Sequence, residues 1–143
     1  MASSKVAKGR RGEQEIQALI QEVADAAYRE RGLPAPEISR GKHGRDLIGL
    51  PWLAPEVKRH EAAGAASIDD WWDQARRQAR GGQVPVLIWR QNRRPWHVVL
   101  PVAVTIPGTA QRVVTRGDIT LDAFRAWLHL AILYSLDTPV DHL

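Results

Sequence analysis

Three side chains stand at a spacing that could carry metal chemistry: Asp46, and then Glu56 and Lys58 on either side of Val57. The glutamate stands ten positions after the aspartate, and Gly49 and Pro51 between them favour a turn. Side chains alternate along a strand, so a strand over Leu53–His60 puts Glu56, Lys58 and His60 on one face. A hairpin with a short strand over Asp46–Leu50 would set Asp46 beside Glu56. Hard divalent cations such as Mg²⁺ take oxygen ligands. Asp46 and Glu56 offer carboxylates, and Val57 offers its backbone carbonyl. An ion held there would lower the pKa of bound water and polarise a phosphate. Lys58 would orient the attacking water and offset the charge that builds on the transition state. The same pattern also suits a surface hairpin with a cross-strand ion pair, and the residues alone leave both readings open.

The elements that must position this set follow from hydrophobic periodicity. Ile16, Leu19, Ile20, Val23 and Ala27 recur at helical spacing and predict a helix over Arg11–Glu30, stopped by Gly32, Pro34 and Pro36. Met1–Lys8 reads as a mobile basic arm, and residues 9–143 as one domain ending in a helix. Ile38–Arg45 is a polar, basic stretch without useful periodicity, read as a loop or a short strand and turn. Ile68, Trp71, Trp72, Ala75 and Ala79 predict a second helix over Ile68–Arg80, ended by Gly81-Gly82. Val84–Arg90 is a continuous apolar run of a buried strand, and Trp96–Val104 is another strand. A polar loop then leads to a last helix over Thr120–Ser135. The expected class is α/β, a mixed central sheet flanked by helices.

This order of segments resembles the PD-(D/E)xK nuclease superfamily, and within it the archaeal-type and phage Holliday junction resolvases. The segments that carry the resemblance are Lys8-Gly9-Arg10-Arg11-Gly12-Glu13 opening a helix, the polar loop Ser39–Arg45 ahead of Asp46, Glu56-Val57-Lys58 on a strand, Trp72-Asp73-Gln74-Ala75 on a helix, and the strand Pro85–Trp89. Arg45 stands where the name motif has its proline, a residue without a chemical role. The resemblance implies a restriction-endonuclease-like fold and a structure-selective DNA endonuclease that hydrolyses phosphodiesters with a metal-activated water. Mg²⁺ would be the cofactor, with Mn²⁺ able to substitute. Asp46 and Glu56 would ligate the metal, Glu13 would reach it directly or through water, and Lys58 would be the catalytic lysine. Gln74 lies where related nucleases place a polar residue near the site. Glu13 also shares the inward stripe of Ile16 and Ile20, where a carboxylate is costly without a partner. Alternatively, it only complements the helix dipole. A nicking or repair nuclease on linear or flapped DNA, and a non-catalytic nucleic-acid-binding module of the same fold, remain alternatives.

The surface reading agrees with a DNA partner. The formal net charge is +4, which favours an anionic ligand. Candidate phosphate contacts are Lys8, Arg10 and Arg11, then Arg40, Lys42 and Arg45 in the loop ahead of Asp46, and Arg76, Arg77 and Arg80 on one helix face. For the last three, an ordinary solvated face explains the pattern equally well. Trp71, Trp72, Trp89 and Trp127 are assigned to core packing and not to base stacking, with Trp52 left open. His60 could stand beside the site or be a plain strand histidine. The absence of cysteine excludes a disulfide scaffold and a thiolate metal site, and no histidine pair has zinc spacing. No apolar run is long enough for a membrane span, and a cytoplasmic protein is expected, in the host cytoplasm if phage-encoded. The last helix carries a second apolar stripe, Trp127, Leu130 and Tyr134, that could cover a partner subunit, and a two-fold homodimer would suit the two cuts of a four-way junction.

Overall fold

A computed structural model describes residues 3–41, 47–61 and 63–138, with side chains from Arg11 onward. The elements in chain order are α1 (Ser3–Glu30), β1 (Ser39–Arg40), β2 (Leu47–Ile48), β3 (Leu53–His60), α2 (Ala65–Gln78), β4 (Val84–Gln91), β5 (His97–Thr105), β6 (Arg112–Thr120) and α3 (Leu121–Asp137). The chain is α/β, with a mixed four-stranded sheet in the order β3-β4-β5-β6. β3 and β4 are parallel because α2 carries the chain across between them. β4–β5 and β5–β6 are antiparallel neighbours. Three helices flank this sheet in a restriction-endonuclease-like arrangement.

The two sheet faces bury different cores. On one, Ile16, Leu19, Ile20, Val23 and Ala27 of α1 and Phe124, Leu128 and Ile132 of α3 pack on Leu53, Val57, Val86, Ile88, Val98 and Leu100. On the other, Trp72 and Ala75 of α2 pack on Leu87, Trp89 and Val99. Each fully buried aliphatic side chain contributes about 1.5–3 kcal/mol. The continuous apolar run of β4 is thereby explained: Val86 and Ile88 face one layer, Leu87 and Trp89 the other.

Several expectations change. α1 begins at Ser3 and not at Arg11, so helix covers most of the stretch read as an arm. Nothing between Ser3 and Arg11 breaks a helix, and Gly12 is used for close approach. A Cβ there would lie 3.2 Å from Arg59 Cβ and 3.3 Å from the Trp96 ring. The hairpin between the two site strands is not formed among the described residues: β2 pairs antiparallel with β1, and β3 pairs with β4. The stretch read as a loop before α3 is strand β6. It is mostly exposed and so carries no burial pattern, though Pro107-Gly108 marked its turn. Thr120 is the cap of α3, accepting from the Ala123 amide at 3.1 Å, and not its first turn. Trp127 packs inward, stacked on Phe124 and edge-on to Trp52, which leaves Leu130 and Tyr134 exposed. Among the described residues no helix is long and apolar enough to cross a membrane.

Side-chain amides of α1 fix the chain that leads into β1. Gln17 Nε2 donates to the Ile38 carbonyl at 2.8 Å, and Gln21 both donates to the Pro36 carbonyl at 2.9 Å and accepts from the Ile38 amide at 2.7 Å. The return from β2 passes hard against this segment at Gly49. Its φ of +140° suits glycine, and a Cβ would meet the Glu37 carbonyl at 2.8 Å and Ile38 Cδ1 at 2.7 Å. Gly49→Ala should therefore cost about 2 kcal/mol, read as a melting temperature several degrees lower. An unchanged melting curve would show that this crossing is not as tight as described.

The ends of α1 and α3 are joined by a two-pronged ion pair, Arg31 Nε to Asp137 Oδ1 at 2.6 Å and Arg31 Nη2 to Asp137 Oδ2 at 2.7 Å. These hydrogen bonds hold the Asp137 carboxyl below its ordinary value near 3.8 and raise Arg31. A depressed carboxyl adds stability that is complete above its unfolded value and lost as pH falls through the folded one. Asp137→Asn should lower melting slightly at neutral pH, where the pair is fully formed, and flatten its pH dependence below about pH 4. The same acid slope in both proteins would remove this pair from the account.

Candidate active site

Alternation along β3 sorts its residues as the sequence requires. Leu53, Pro55 and Val57 are buried, with Leu53 and Val57 in the α1 core, while Glu56, Lys58 and His60 share the face toward α2. The parallel register sets Glu56 beside Leu87 and Lys58 beside Trp89. Glu56 is only 3% exposed, among the most buried residues of the protein. Lys58 Nζ lies 3.3 Å from Glu56 Oε1, and Gln74 Nε2 of α2 donates to the same oxygen at 3.3 Å. Gln74 is carried there because Trp72 and Ala75 anchor α2 on the sheet.

His60 is exposed at the outer end of the same face, its ring stacked on Trp71 at 4.7 Å and 22°. Trp71 leans on Trp89 at 6.3 Å, and Trp89 stacks on His97 at 4.4 Å. This row of aromatic rings across β3, β4 and β5 walls one end of the site. Sequence periodicity found its tryptophans and put His60 on this face but missed His97, because stacking partners come from separate strands.

The remaining candidates divide. Glu13 is brought to Arg40, at 3.1 Å from its guanidinium, so among the described residues its partner is the basic segment and not Glu56 or Lys58. Arg76 is exposed and paired with Asp73 at 2.7 Å, and Arg77 is exposed on the solvent side of α2; Arg80 is exposed but lies past the end of the helix, which stops at Gln78 and not, as expected, at Arg80. Arg11 is exposed; Lys8 and Arg10 lie on α1 with side chains outside the described set. Lys42, Arg45 and Asp46 lie outside the described residues. Leu47, bonded directly to Asp46, is described: it is buried in the α1 core cluster with Leu53 and lines a cavity of about 170 Å³ that also takes in Ala54 and Pro55 of β3.

The donor set bears on whether a metal suits this site. Among the described residues no group of three or more His, Asp or Glu could hold an ion. What is present is a buried carboxylate, the adjoining Val57 carbonyl, and an amide and an ammonium that do not compete as anionic ligands. These are hard oxygen donors, which fit a divalent cation of the Mg²⁺ class once a second carboxylate joins them.

The comparison with protein families decides the assignment. The family described as phage putative PDDEXK endonuclease matches residues 38–128, more than half of the chain. The chain belongs to this family. The match spans β1 to the first half of α3 and so includes Asp46, Glu56, Lys58 and Gln74. Membership makes the protein a nuclease of the PD-(D/E)xK superfamily, whose members generally depend on a divalent metal, and it implies a DNA substrate. Among curated proteins and solved structures, none matches the chain.

For this PDDEXK nuclease, Gln74→Ala should lower cleavage about tenfold, raise the metal concentration needed for half-maximal activity, and lower the melting temperature by a few degrees as buried Glu56 loses a donor. An unaltered metal titration would show that Gln74 only fills space.

Proposed function

We propose that this protein is a Mg²⁺-dependent, structure-selective DNA endonuclease, and that its substrate is a four-way junction. What supports the chemistry is one observation: Glu56, 3% exposed, holds the Lys58 ammonium 3.3 Å away on a strand face walled by apolar side chains. What supports the junction is the resemblance carried by the segments from Lys8 to Trp89.

Glu56 and Asp46 would hold the cation, with the Val57 carbonyl as a further ligand; Glu13 would reach it, directly or through water, only by giving up Arg40, and Mn²⁺ would substitute. A bound divalent cation supplies Lewis-acid activation of water and of the scissile phosphate. Lys58 orients the attacking water and offsets negative charge as the phosphorus gains its fifth oxygen. The apolar flank of Leu87 and Trp89 lowers the local dielectric, so the Lys58 charge acts more strongly than it would in water. Gln74 keeps the Glu56 carboxylate in one orientation, and His60 closes the outer end of the site.

Phosphate contacts from Arg40, Lys42 and Arg45 ahead of Asp46, from Lys8, Arg10 and Arg11 on α1, and from Arg76 and Arg77 on α2 with Arg80 just after it hold the duplex without reading its sequence. A junction is resolved by two symmetric cuts, so a homodimer with two-fold symmetry is the working form. The cytoplasm, of the host if the protein is phage-encoded, is the compartment this activity needs.

The test sets a labelled four-way junction, a flap and a linear duplex against the protein with Mg²⁺, with Mn²⁺ and with EDTA. Junction cleavage should require the metal and fall by about a thousandfold in both Glu56→Ala and Lys58→Ala. Equal cutting of all three substrates would remove junction selectivity and keep the nuclease. Binding without cleavage in either metal would overturn the catalytic reading.

A further inference from the structure

We infer that the outer edge of β6 pairs with β6 of a second copy of this chain, antiparallel and centred on Thr115. β6 is the last strand of its sheet, and among the described residues no strand pairs with its other edge. It is nine residues long and without proline, so a row of backbone donors and acceptors is left for a partner. Its exposed apolar residues are unusually bare: Val113 is 54% exposed and Val114 71%.

Charge selects the occupant and the register. The face toward α2 carries Arg112, Val114, Arg116 and Asp118, placed by their pairing with Thr105, Ala103, Pro101 and Val99. Arg116 is already bound to Asp69 of α2 at 2.7 Å. Arg112 and Asp118 have no ion-pair partner among the described residues. A two-fold axis normal to the sheet and through Thr115 sets Arg112 of each copy opposite Asp118 of the other, two complementary pairs at once.

The neighbouring two-fold registers do the reverse. Centring on Val114 opposes Arg112 to Arg116, and centring on Arg116 opposes Arg116 to itself. On the other face the Thr115 register sets Val113 across from Gly117, where Val102 fills the missing side-chain space, with its methyl 2.5 Å from where a Cβ would stand. Val113 of one copy then packs on Val102 of the other. The pairing does not depend on the nuclease reading.

Sedimentation of the full-length protein at tens of micromolar, without DNA or metal, should give twice the 16.0 kDa chain mass. Arg112→Asp and Asp118→Arg should each weaken association about tenfold or more, and the double exchange should restore it. The chain has no cysteine, so Thr115→Cys should oxidise to a covalent dimer while Thr109→Cys, in the hairpin turn, should not. A monomer at every concentration would overturn the pairing. So would a double variant as weak as the single ones, or no Thr115→Cys cross-link. A monomer that still cuts DNA would sink this inference and the dimeric working form but not the nuclease, and a dimer that never cuts would sink the nuclease reading alone.

Discussion

Burying the Glu56 carboxylate is the constraint from which much of this architecture follows. Among the described residues it is the one charged side chain buried as deeply as the hydrophobic core. Taking an ion out of water costs several kcal/mol, and the cost is offset only by close, well-oriented partners. Lys58 and Gln74 meet it from two directions, one along the strand and one from the helix above. The first partner requires β3 to be a true strand, so that residues two apart share a face. The second requires α2 to dock with its turn at Gln74 directly over β3. The parallel crossover β3–α2–β4 satisfies both, and its anchors Trp72 and Ala75 are apolar because nothing else can hold a helix that close to a sheet.

The same constraint separates two kinds of charge in the molecule. Glu56 lies in a nearly dry setting with the half-buried Lys58 against it, where a charge interacts strongly and its removal leaves a partner stranded. The ion pairs Arg31–Asp137, Arg76–Asp73 and Arg116–Asp69 lie near solvent, where water screens them and each is worth little. The catalytic role proposed for Glu56 and Lys58 would draw on the first kind. The second kind shapes surfaces: Arg76 and Arg116 are partly neutralised by their aspartates, whereas Arg77 on α2 and Arg80 just past its end keep their charge toward solvent.

What the sequence made legible was whatever depends on local period. The face shared by Glu56, Lys58 and His60, the buried stripe of α1 and the two-sided burial of β4 all follow from alternation or helical spacing. Family resemblance read from ordered segments was also sound, because order survives where single motifs are common. Pairing partners were not legible. Gly49 and Pro51 argue for a hairpin between β2 and β3, yet β3 takes β4, more than twenty residues on, because the buried run Val84–Trp89 offers β3 more apolar surface than the two-residue β2. β6 escaped for a related reason: its side chains are exposed, and backbone pairing with β5, which leaves no mark on hydrophobic pattern, holds it. The Gln74 contact needed both the strand and the helix to be placed before it could be seen at all.

Position in the sheet connects the site to the inferred pairing. β3, which carries Glu56 and Lys58, is at one edge, and β6 is at the other. Two copies joined along β6 would form one continuous sheet with a β3 at each far end. At a strand spacing of about 4.8 Å, the two β3 strands would then lie about 34 Å apart, close to one turn of a DNA duplex. Neither site would be covered by the pairing, because each faces α2 at the edge remote from the two-fold axis. The two sites would therefore act on separate strands or separate arms and not on one bond, and the distance between their cuts would be set by the width of the sheet. Substrate selection in such an assembly would belong to the spacing of the sites, while the hydrolysis proposed for Glu56 and Lys58 would be the same at each.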